Sequence, residues 1–236
     1  MKATIHQPDF LPWLGLFNKI ARADCWIVLD HVENNPRDAA FWGRRVKIAI
    51  NAQASWLSIT LSKPATPGVI GVPIRDMTVS AADDRAMQKC LRTLQMAYAG
   101  TPYFADYFPL AEAYFSDPDL NLMRRNMRFI ERVMALLGVR TRILYSSELG
   151  IQTKATQLLV DLLKQVGAST YLCGGGAGGY QQDDLFAQAG IALEYNNFTH
   201  PVYPQPRTSE FIPGLSILDA LFCAGEQSVA RWVHDA

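Results

Sequence analysis

The stretch from Ala3 to Trp13 reads ATIHQPDFLPW, a short apolar run that leads through a polar turn into the start of a helix. From Leu11 to Ala23, apolar residues recur every three positions, and Pro12 suits a first helical turn. A second apolar run, Cys25–Leu29, follows directly. A strand, a helix and a strand in this order predict a β-α-β unit with parallel strands.

The rest of the chain extends this pattern on both sides of a helical block. Apolar runs bounded by turn residues predict strands at 56–61, 142–145, 170–173 and 191–195, and helices at 155–166 and 184–189. Strands that alternate with short helices pair in parallel through right-handed crossovers. We therefore predict an α/β fold in which residues 2–61 and 140–198 form one mainly parallel, doubly wound, Rossmann-like sheet. Its ligand site should lie where the two halves of the sheet meet.

Residues 81–137 carry helical periodicity and predict a helical insertion. The block begins near Ser80, its clearest helix runs from Leu122 to Leu137, and Gly138 stands where a C-terminal glycine cap is expected. A further helical pattern covers Phe211–Gly225. No linker or repeat divides the chain, so we predict one α/β domain over residues 1–236, with 81–137 as a helical subdomain.

Composition excludes several classes of function. The 236 residues include 22 Lys and Arg against 22 Asp and Glu, so the net charge is zero and the sequence favours neither nucleic acid nor an anionic membrane as a partner. No run of 18 apolar residues and no signal peptide is encoded. The four cysteines form neither a Cys-x-x-Cys pair nor a dense disulfide framework. We expect a cytoplasmic protein without a membrane span, of unknown oligomeric state.

The first candidate site follows the first predicted strand. His6, Gln7, Asp9 and Trp13 lie where that strand ends and its helix begins, which places polar groups at the edge of the sheet. We predict His6 as a catalytic acid or base and the other three as substrate-binding residues. In the alternative interpretation, His6 satisfies a backbone carbonyl and Trp13 is a packing residue.

A second group of polar residues follows the second predicted strand. Asp30 and His31 emerge at the same edge as His6, and an acid/base pair or a metal site could use them. No recognised ligand spacing supports a metal, so we predict catalytic roles for both and no metal site. Arg44 and Arg45 suit phosphate or carboxylate binding, with surface solvation as the alternative.

A glycine-rich segment follows the predicted strand at 170–173. Gly174, Gly175 and Gly176 open the run GGGAGG, whose backbone N–H groups could approach a phosphate or carboxylate. The acidic residue that a dinucleotide site would need lies inside a later strand, so a dinucleotide fold is rejected. A gating loop and a tight turn remain as alternatives. Cys173, directly before the run, could be a nucleophile or a buried apolar residue.

The last candidates follow the final predicted strand. Prolines stiffen the segment that carries His200, Tyr203 and Gln205, so these side chains could project together. We predict His200 as catalytic and Tyr203, Gln205 and Ser216 as substrate-binding, while Ser216 could equally cap a helix. A single cleft is expected to gather distant residues at the strand ends, namely His6, Asp30, His31, Arg44 and His200.

Five strings together resemble the WbqC-like protein family: HQPDFLPWLG at 6–15, LDHV at 29–32, YLCG at 171–174, FTHPVY at 198–203 and LSILD at 215–219. The resemblance covers nearly the whole chain and implies a bacterial protein associated with O-antigen and other cell-surface polysaccharides. The chain departs from the family after Asp30, where His31, Glu33 and Asn34 replace a second acid and an aromatic residue.

We therefore predict a group transferase of polysaccharide or related small-molecule biosynthesis. Its partner would be a small substrate that is anionic or nucleotide-linked, and the donor would be a nucleotide sugar or an activated acyl or aminoacyl group. The cofactor is unknown from the sequence. The alternative is a non-catalytic protein that binds a sugar nucleotide or serves as a scaffold in a biosynthetic cluster.

Overall fold

The computed structural model describes residues 1–64, 66, 68–80, 84–175 and 181–235. The strands are β1 Lys2–His6, β2 Cys25–Val28, β3 Glu33–Asn34, β4 Arg45–Ile50, β5 Gln53–Ser58, β6 Val72–Pro73, β7 Arg142–Tyr145, β8 Thr170–Gly174 and β9 Ala192–Asn196. The helices are α1 Leu14–Ala21, α2 Asp84–Tyr98, α3 Phe104–Phe115, α4 Leu122–Leu136, α5 Ala155–Gln165, α6 Asp183–Gln188 and α7 Ile217–His234.

The central sheet has five parallel strands in the order β7-β2-β1-β8-β9. From β1 in the middle, the chain moves outward through β2 to β7 and then returns to the other side of β1 with β8 and β9. This is the doubly wound, Rossmann-like arrangement that the alternation of strands and helices predicts, and that prediction is confirmed. The direction of winding reverses between β1 and β8, so the switch point lies between these two strands.

The sheet separates two apolar cores because successive side chains of a strand point to opposite faces. All four residues of β2 are buried, and Trp26 joins the core with α1 and α7, whereas Ile27 joins the core with α5 and α6. The first core extends into α2, α3 and α4. A sheet covered on both faces presents its strand ends as the place for polar groups.

The prediction that residues 56–61 form a strand of the main sheet is wrong. Gln53–Ser58 instead pairs with Arg45–Ile50 in a separate antiparallel hairpin. The turn between them consists of Asn51 and Ala52, whose φ angles are 50° and 61°. Two successive left-handed residues form the tight turn that joins antiparallel strands, so this segment cannot enter a parallel sheet through a crossover.

The helical block is present as α2, α3 and α4, although residues 81–83 at its predicted start lie outside the described residues. The predicted helix at 211–225 begins later and runs further, over Ile217–His234, and Ser216 caps it by accepting a hydrogen bond from the Leu218 N–H. Of the helices described here, none is long and apolar enough to cross a membrane.

Candidate functional site

The ends of β1 and β8 lie on either side of the switch point. His6 is the last residue of β1, and Gln7 and Asp9 follow it in the loop that leads to α1. Gly174 ends β8 and Gly175 comes directly after it. The remaining glycines of that segment, Gly176 included, lie outside the described residues. Contact of the glycine-rich loop with an anion therefore stays a prediction.

His6 and Asp9 form a pair at the end of β1. The Nε2 atom of His6 lies 3.3 Å from Oδ2 of Asp9, whose carboxylate is almost completely buried. Because an ionised carboxylate only accepts hydrogen bonds, Nε2 of His6 is the nitrogen that carries the proton. The Nδ1 atom then has a lone pair for proton transfer, and a third of the His6 side chain is open to solvent.

Lys19 is a residue that the sequence analysis missed. It lies on α1, is 6% exposed, and its Nζ atom donates a hydrogen bond to the Ile5 carbonyl at 3.3 Å. Burial lowers the pKa of Lys19 from 10.5 to about 8, although its neighbours Asp9 and Cys173 act in the opposite direction. These neighbours come from the loop after β1 and from β8, so the ammonium group lies at the switch point.

The Lys19 ammonium group has donors to spare. Within the described part of the chain its one hydrogen bond goes to Ile5, whereas an ammonium group can donate three. A buried cation of this kind is costly unless further acceptors satisfy it, and such groups cluster at functional sites. A phosphate or carboxylate at the ends of β1 and β8 would supply those acceptors.

Asp30 and His31 are joined through the first residues after β7. The Asp30 carboxylate accepts hydrogen bonds from the Ser146 hydroxyl at 2.9 Å and from the Ser147 N–H and hydroxyl at 2.9 and 2.7 Å. The Ser146 oxygen also lies 2.6 Å from Nδ1 of His31 and accepts a hydrogen bond from the Asp30 N–H. The Asp30 carboxylate therefore accepts three hydrogen bonds within the protein and contacts His31 through Ser146.

This arrangement fixes the tautomer of His31. A serine hydroxyl has one proton, and here that proton points to the Asp30 carboxylate, since two oxygens 2.9 Å apart without a proton between them would repel each other. Nδ1 of His31 must then donate to Ser146, which leaves Nε2 as an acceptor. His31 is thus a second imidazole with a nitrogen lone pair available for acid/base chemistry, at the end of the strand next to β1.

A cavity of about 470 Å³ opens at the ends of β2 and β7, beneath α4. Both signs of charge line it: Glu131 and Glu148 contribute carboxylates, while Arg124 and Arg128 from α4 are already hydrogen-bonded to Asp119. Of the predicted cleft residues His6, Asp30, His31, Arg44 and His200, Asp30 alone is among the described residues that line this cavity. The cavity can accept a polar small molecule beside the Asp30–Ser146–His31 group.

His200 lies in a cluster of aromatic rings beside the start of α1. Its ring centroid is 5.4 Å from that of Trp13 and 5.1 Å from that of Phe198. Burial lowers the pKa of His200, so its imidazole is neutral at pH 7. The Trp13 ring folds over Gly15, where a Cβ atom would clash with the indole. The rings of Trp13 and His200 thus form a continuous aromatic surface near the end of β1.

Tyr203, Gln205 and Ser216 make hydrogen bonds within the protein, and their substrate-binding roles stay predictions. The Tyr203 hydroxyl and the Gln205 amide both donate to Oδ1 of the buried Asp219, at 2.7 and 2.9 Å. Ser216 is fully buried, caps α7 and donates to the Leu11 carbonyl. These contacts fasten the segment after β9 to α7.

Arg45 begins the hairpin and Arg44 directly precedes it, and neither residue lines the cavity. Their guanidinium groups donate to the carbonyls of Asp38 and Ala39, at 3.5 and 2.9 Å. The segment before the hairpin nevertheless contacts the loop after β1, because the Phe10 N–H donates to the Trp42 carbonyl at 3.0 Å. The two arginines lie on a surface separate from the His6–Asp9 pair and from the Asp30–Ser146–His31 group.

A metal site and a cysteine nucleophile were also considered from the sequence. Within the described ranges, no three His, Cys, Asp or Glu side chains come together in a way that could hold a metal ion. Cys173 is completely buried, its thiol donates to the Glu194 carbonyl, and burial raises its pKa. A buried thiol with a raised pKa stays protonated, which favours the structural interpretation of Cys173.

The fold places the protein among the Rossmann-like α/β proteins, in which ligands bind at the C-terminal ends of parallel strands. The chain belongs to the WbqC-like protein family, whose sequence pattern matches residues 7–231. It is 26% identical over 228 residues to Uncharacterized protein Rv1507c of Mycobacterium tuberculosis, covering 96% of this chain and 95% of that protein. No solved structure matches the chain.

Proposed function

We propose that the protein is a group transferase that acts on an anionic, activated small molecule at the ends of β1 and β8. The observation that carries the proposal is the buried Lys19 ammonium group at the switch point, next to the His6–Asp9 pair. A cation of this kind can bind a phosphate leaving group, and a histidine held by a carboxylate can move a proton.

Each group has a place in the proposed transfer. The bond between the transferred group and its leaving group breaks, and the leaving group, a phosphate or the thiolate of a thioester, keeps the electron pair beside Lys19. The acceptor lies beside His6, forms the new bond and gives its proton to Nδ1 of His6. His31, whose Nε2 is also a base, takes the proton instead when the acceptor substrate lies closer to β2 and β7.

The biological setting is part of the same proposal. Cell-surface polysaccharide biosynthesis is the setting that the resemblance to the WbqC-like family implies. We place the reaction in the cytoplasm, where buried thiols such as those of the four cysteines stay reduced. The transferred group is a sugar or an acyl or aminoacyl group, and the experiment below distinguishes them.

The test is a screen of donors with the wild type and a His6→Gln variant. Nucleotide sugars and acyl-coenzyme A thioesters are offered, and release of nucleoside diphosphate or free coenzyme A is measured. We expect one donor class to turn over, and His6→Gln to lose about 10²- to 10⁴-fold in rate while keeping its affinity for the donor. His234→Gln is the matched control, because His234 lies at the end of α7, where its ring contacts the Leu137 carbonyl.

Two outcomes would count against the proposal. Tight binding of a donor without turnover, by wild type and variant alike, would favour the non-catalytic binding protein. Equal turnover by the wild type and His6→Gln would remove His6 from the reaction.

A further inference from the structure

The exposed face of the β4–β5 hairpin carries two tryptophans and three cations. In the hairpin register, Lys47 pairs with Trp56 and Arg45 pairs with Ser58, so these four side chains share one face. Trp42 precedes β4 and is 39% exposed, while Trp56 is 43% exposed. Large aromatic side chains with this much open surface, side by side, are uncommon on a protein that does not use them for binding.

The rings and the cations are in direct contact. The Arg45 guanidinium carbon lies 3.4 Å from the centroid of the Trp56 ring, and Nζ of Lys47 lies 5.3 Å from it. The Trp42 and Trp56 rings pack edge to face, with centroids 5.2 Å apart. Cation–π contact and ring packing hold the two indoles in place before any ligand arrives.

The cations of this face have few acceptors in the described part of the chain. Among the described residues, no ion pair involves Arg44, Arg45 or Lys47, and the hydrogen bonds of the two arginines go to backbone carbonyls. The Nε atoms of Arg44 and Arg45 are buried without a hydrogen-bond acceptor. Burial and the charge of Arg45 both lower the pKa of Arg44, whereas the carboxylate of Asp38 raises it.

This chemistry selects the ligand. The charged groups of the face only donate hydrogen bonds, so they suit a ligand rich in acceptor oxygens and negative charge, which is a phosphate. The indoles suit a planar ring that stacks, which is a nucleobase. A neutral sugar fits less well, because it carries no negative charge to pair with the cations of this face.

We propose that the exposed face of the hairpin binds a nucleoside phosphate, with the base on Trp42 and Trp56 and the phosphates on Arg44, Arg45 and Lys47. This binding site goes beyond the proposed function and does not depend on it. The loop after β1 lies against the hairpin: the Asn126 amide donates to the carbonyls of both Pro8 and Gly43 at 2.8 Å.

The experiment is a titration of the whole protein with uridine diphosphate, followed by tryptophan fluorescence. We expect quenching, with affinity at least tenfold higher than for uridine alone or for inorganic pyrophosphate. Adenosine diphosphate should bind within a few-fold of uridine diphosphate, because base stacking is tolerant of the base. Binding of pyrophosphate as tight as that of the nucleotide would overturn the role of the tryptophans.

Variants locate the site. Trp56→Ala should weaken uridine diphosphate binding at least tenfold and Lys47→Gln several-fold, whereas Lys89→Gln, at an exposed lysine of α2, should leave it unchanged. Trp42→Ala is the second tryptophan variant if Trp56→Ala fails to fold. Unchanged affinity in the tryptophan and lysine variants would show that the nucleotide binds elsewhere.

The outcomes also separate this inference from the proposed function. Nucleotide binding that Trp56→Ala abolishes, without turnover of any donor, supports the binding site and rejects the transferase. Turnover of an acyl donor by a protein that does not bind nucleoside phosphates supports the transferase and rejects the binding site.

Discussion

At the scale of single residues, Lys19 has the largest conflict between its chemistry and its surroundings. It is buried on a helix whose residues from Leu14 to Ile20 are all buried, and a charged ammonium group there is unfavourable for folding. Proteins retain such groups where function requires them. The expected cost can be measured through its dependence on pH.

Lys19→Met should change how stability varies between pH 7 and 10. The pKa of Lys19 is about 8 in the folded protein against 10.5 for an ordinary lysine, so between these values the unfolded chain binds more protons. The free energy of unfolding of the wild type should therefore rise with pH in this window, by up to about 3 kcal/mol relative to Lys19→Met. Below pH 8 both states are protonated and the full cost of burial is present.

Urea unfolding at several pH values measures this difference. Lys164→Met, at an exposed lysine of α5, is the matched control and should show no comparable change relative to the wild type. Parallel pH profiles for wild type and Lys19→Met would contradict the buried, charged state of Lys19.

Ser146 and Ser147 both donate to Asp30, yet their removal should have unequal effects. Ser146→Ala leaves the Asp30 N–H and Nδ1 of His31 without their acceptor, which should lower the free energy of unfolding by about 1–3 kcal/mol. Ser147→Ala removes one hydroxyl donor and keeps its backbone N–H bond to Asp30, so about 1 kcal/mol or less is expected. Chemical unfolding measures both, and equal losses would refute the bridging role of Ser146.

The sequence predicts some site residues well and others poorly. His6, Asp9, Asp30 and His31 follow strands of a parallel sheet, and the ends of such strands meet at one edge. Lys19 gives a weaker signal, namely a charged residue within an otherwise apolar helix. Ser146 lies 115 positions from His31 and 116 positions from Asp30 in the sequence, and no local pattern reveals a contact over such a separation.

At the scale of elements, the β4–β5 hairpin depends on a turn that is strained by its sequence. Ala52 adopts a φ of 61°, a left-handed conformation that costs a residue with a side chain about 1–2 kcal/mol. Ala52→Gly should therefore raise the free energy of unfolding by about 0.5–1 kcal/mol, after the greater entropy of an unfolded glycine is subtracted. Thermal unfolding measures the change.

Ala54→Gly is the matched control for the hairpin. The substitution is the same, but Ala54 lies inside β5, where glycine should lower stability by about 0.5–1 kcal/mol. Opposite signs for the two variants support the left-handed turn. A loss of stability in both would contradict it.

The sequence contains the alternation of this hairpin, since Val46, Ile48 and Ile50 are apolar between polar or small residues. The hairpin is hard to predict from this alternation, because its turn, Asn51-Ala52, lacks the glycine that marks most two-residue turns. The sequence pattern therefore predicts, wrongly, that residues 56–61 belong to the main sheet. The helices of the block at 81–137 are easier to predict because their apolar residues repeat over several turns.

At the scale of the whole molecule, the buried Asp219 connects distant segments. Its carboxylate accepts hydrogen bonds from Tyr98 at 2.9 Å, Tyr203 at 2.7 Å and Gln205 at 2.9 Å, and the Tyr98 oxygen accepts the Ala49 N–H of the hairpin. Burial raises the pKa of Asp219. One carboxylate thus joins α2, α7, the hairpin and the segment after β9.

Asp219→Ala should lower the free energy of unfolding by about 3 kcal/mol or more, because two buried donors and the partly buried Tyr203 hydroxyl lose this acceptor, and each loss costs about 1–3 kcal/mol. Asp184→Ala, at an exposed position of α6, should cost about 1 kcal/mol or less. Unfolding in urea is the measurement. A loss for Asp219→Ala no larger than that of the control would contradict the central role of this carboxylate.

The overall topology is the feature that the sequence predicts best, because strands alternating with helices allow few arrangements. The Asp219 group is the opposite case, since Tyr98 and Asp219 are 121 positions apart. We also propose that residues 1–236 form one domain with 81–137 as a subdomain, because one apolar core includes residues of α1, α2, α3, α4 and α7. A single cooperative unfolding transition is expected for such a unit.

The central claim is that an anionic small molecule binds at the ends of β1 and β8 against Lys19. Native mass spectrometry of the freshly purified protein tests it most directly, with Lys19→Met and Lys164→Met prepared in the same way. We expect the wild type and Lys164→Met to carry the added mass of a phosphate-containing small molecule, and folded Lys19→Met to lack it. The same added mass on Lys19→Met, or none on the wild type, would contradict the claim.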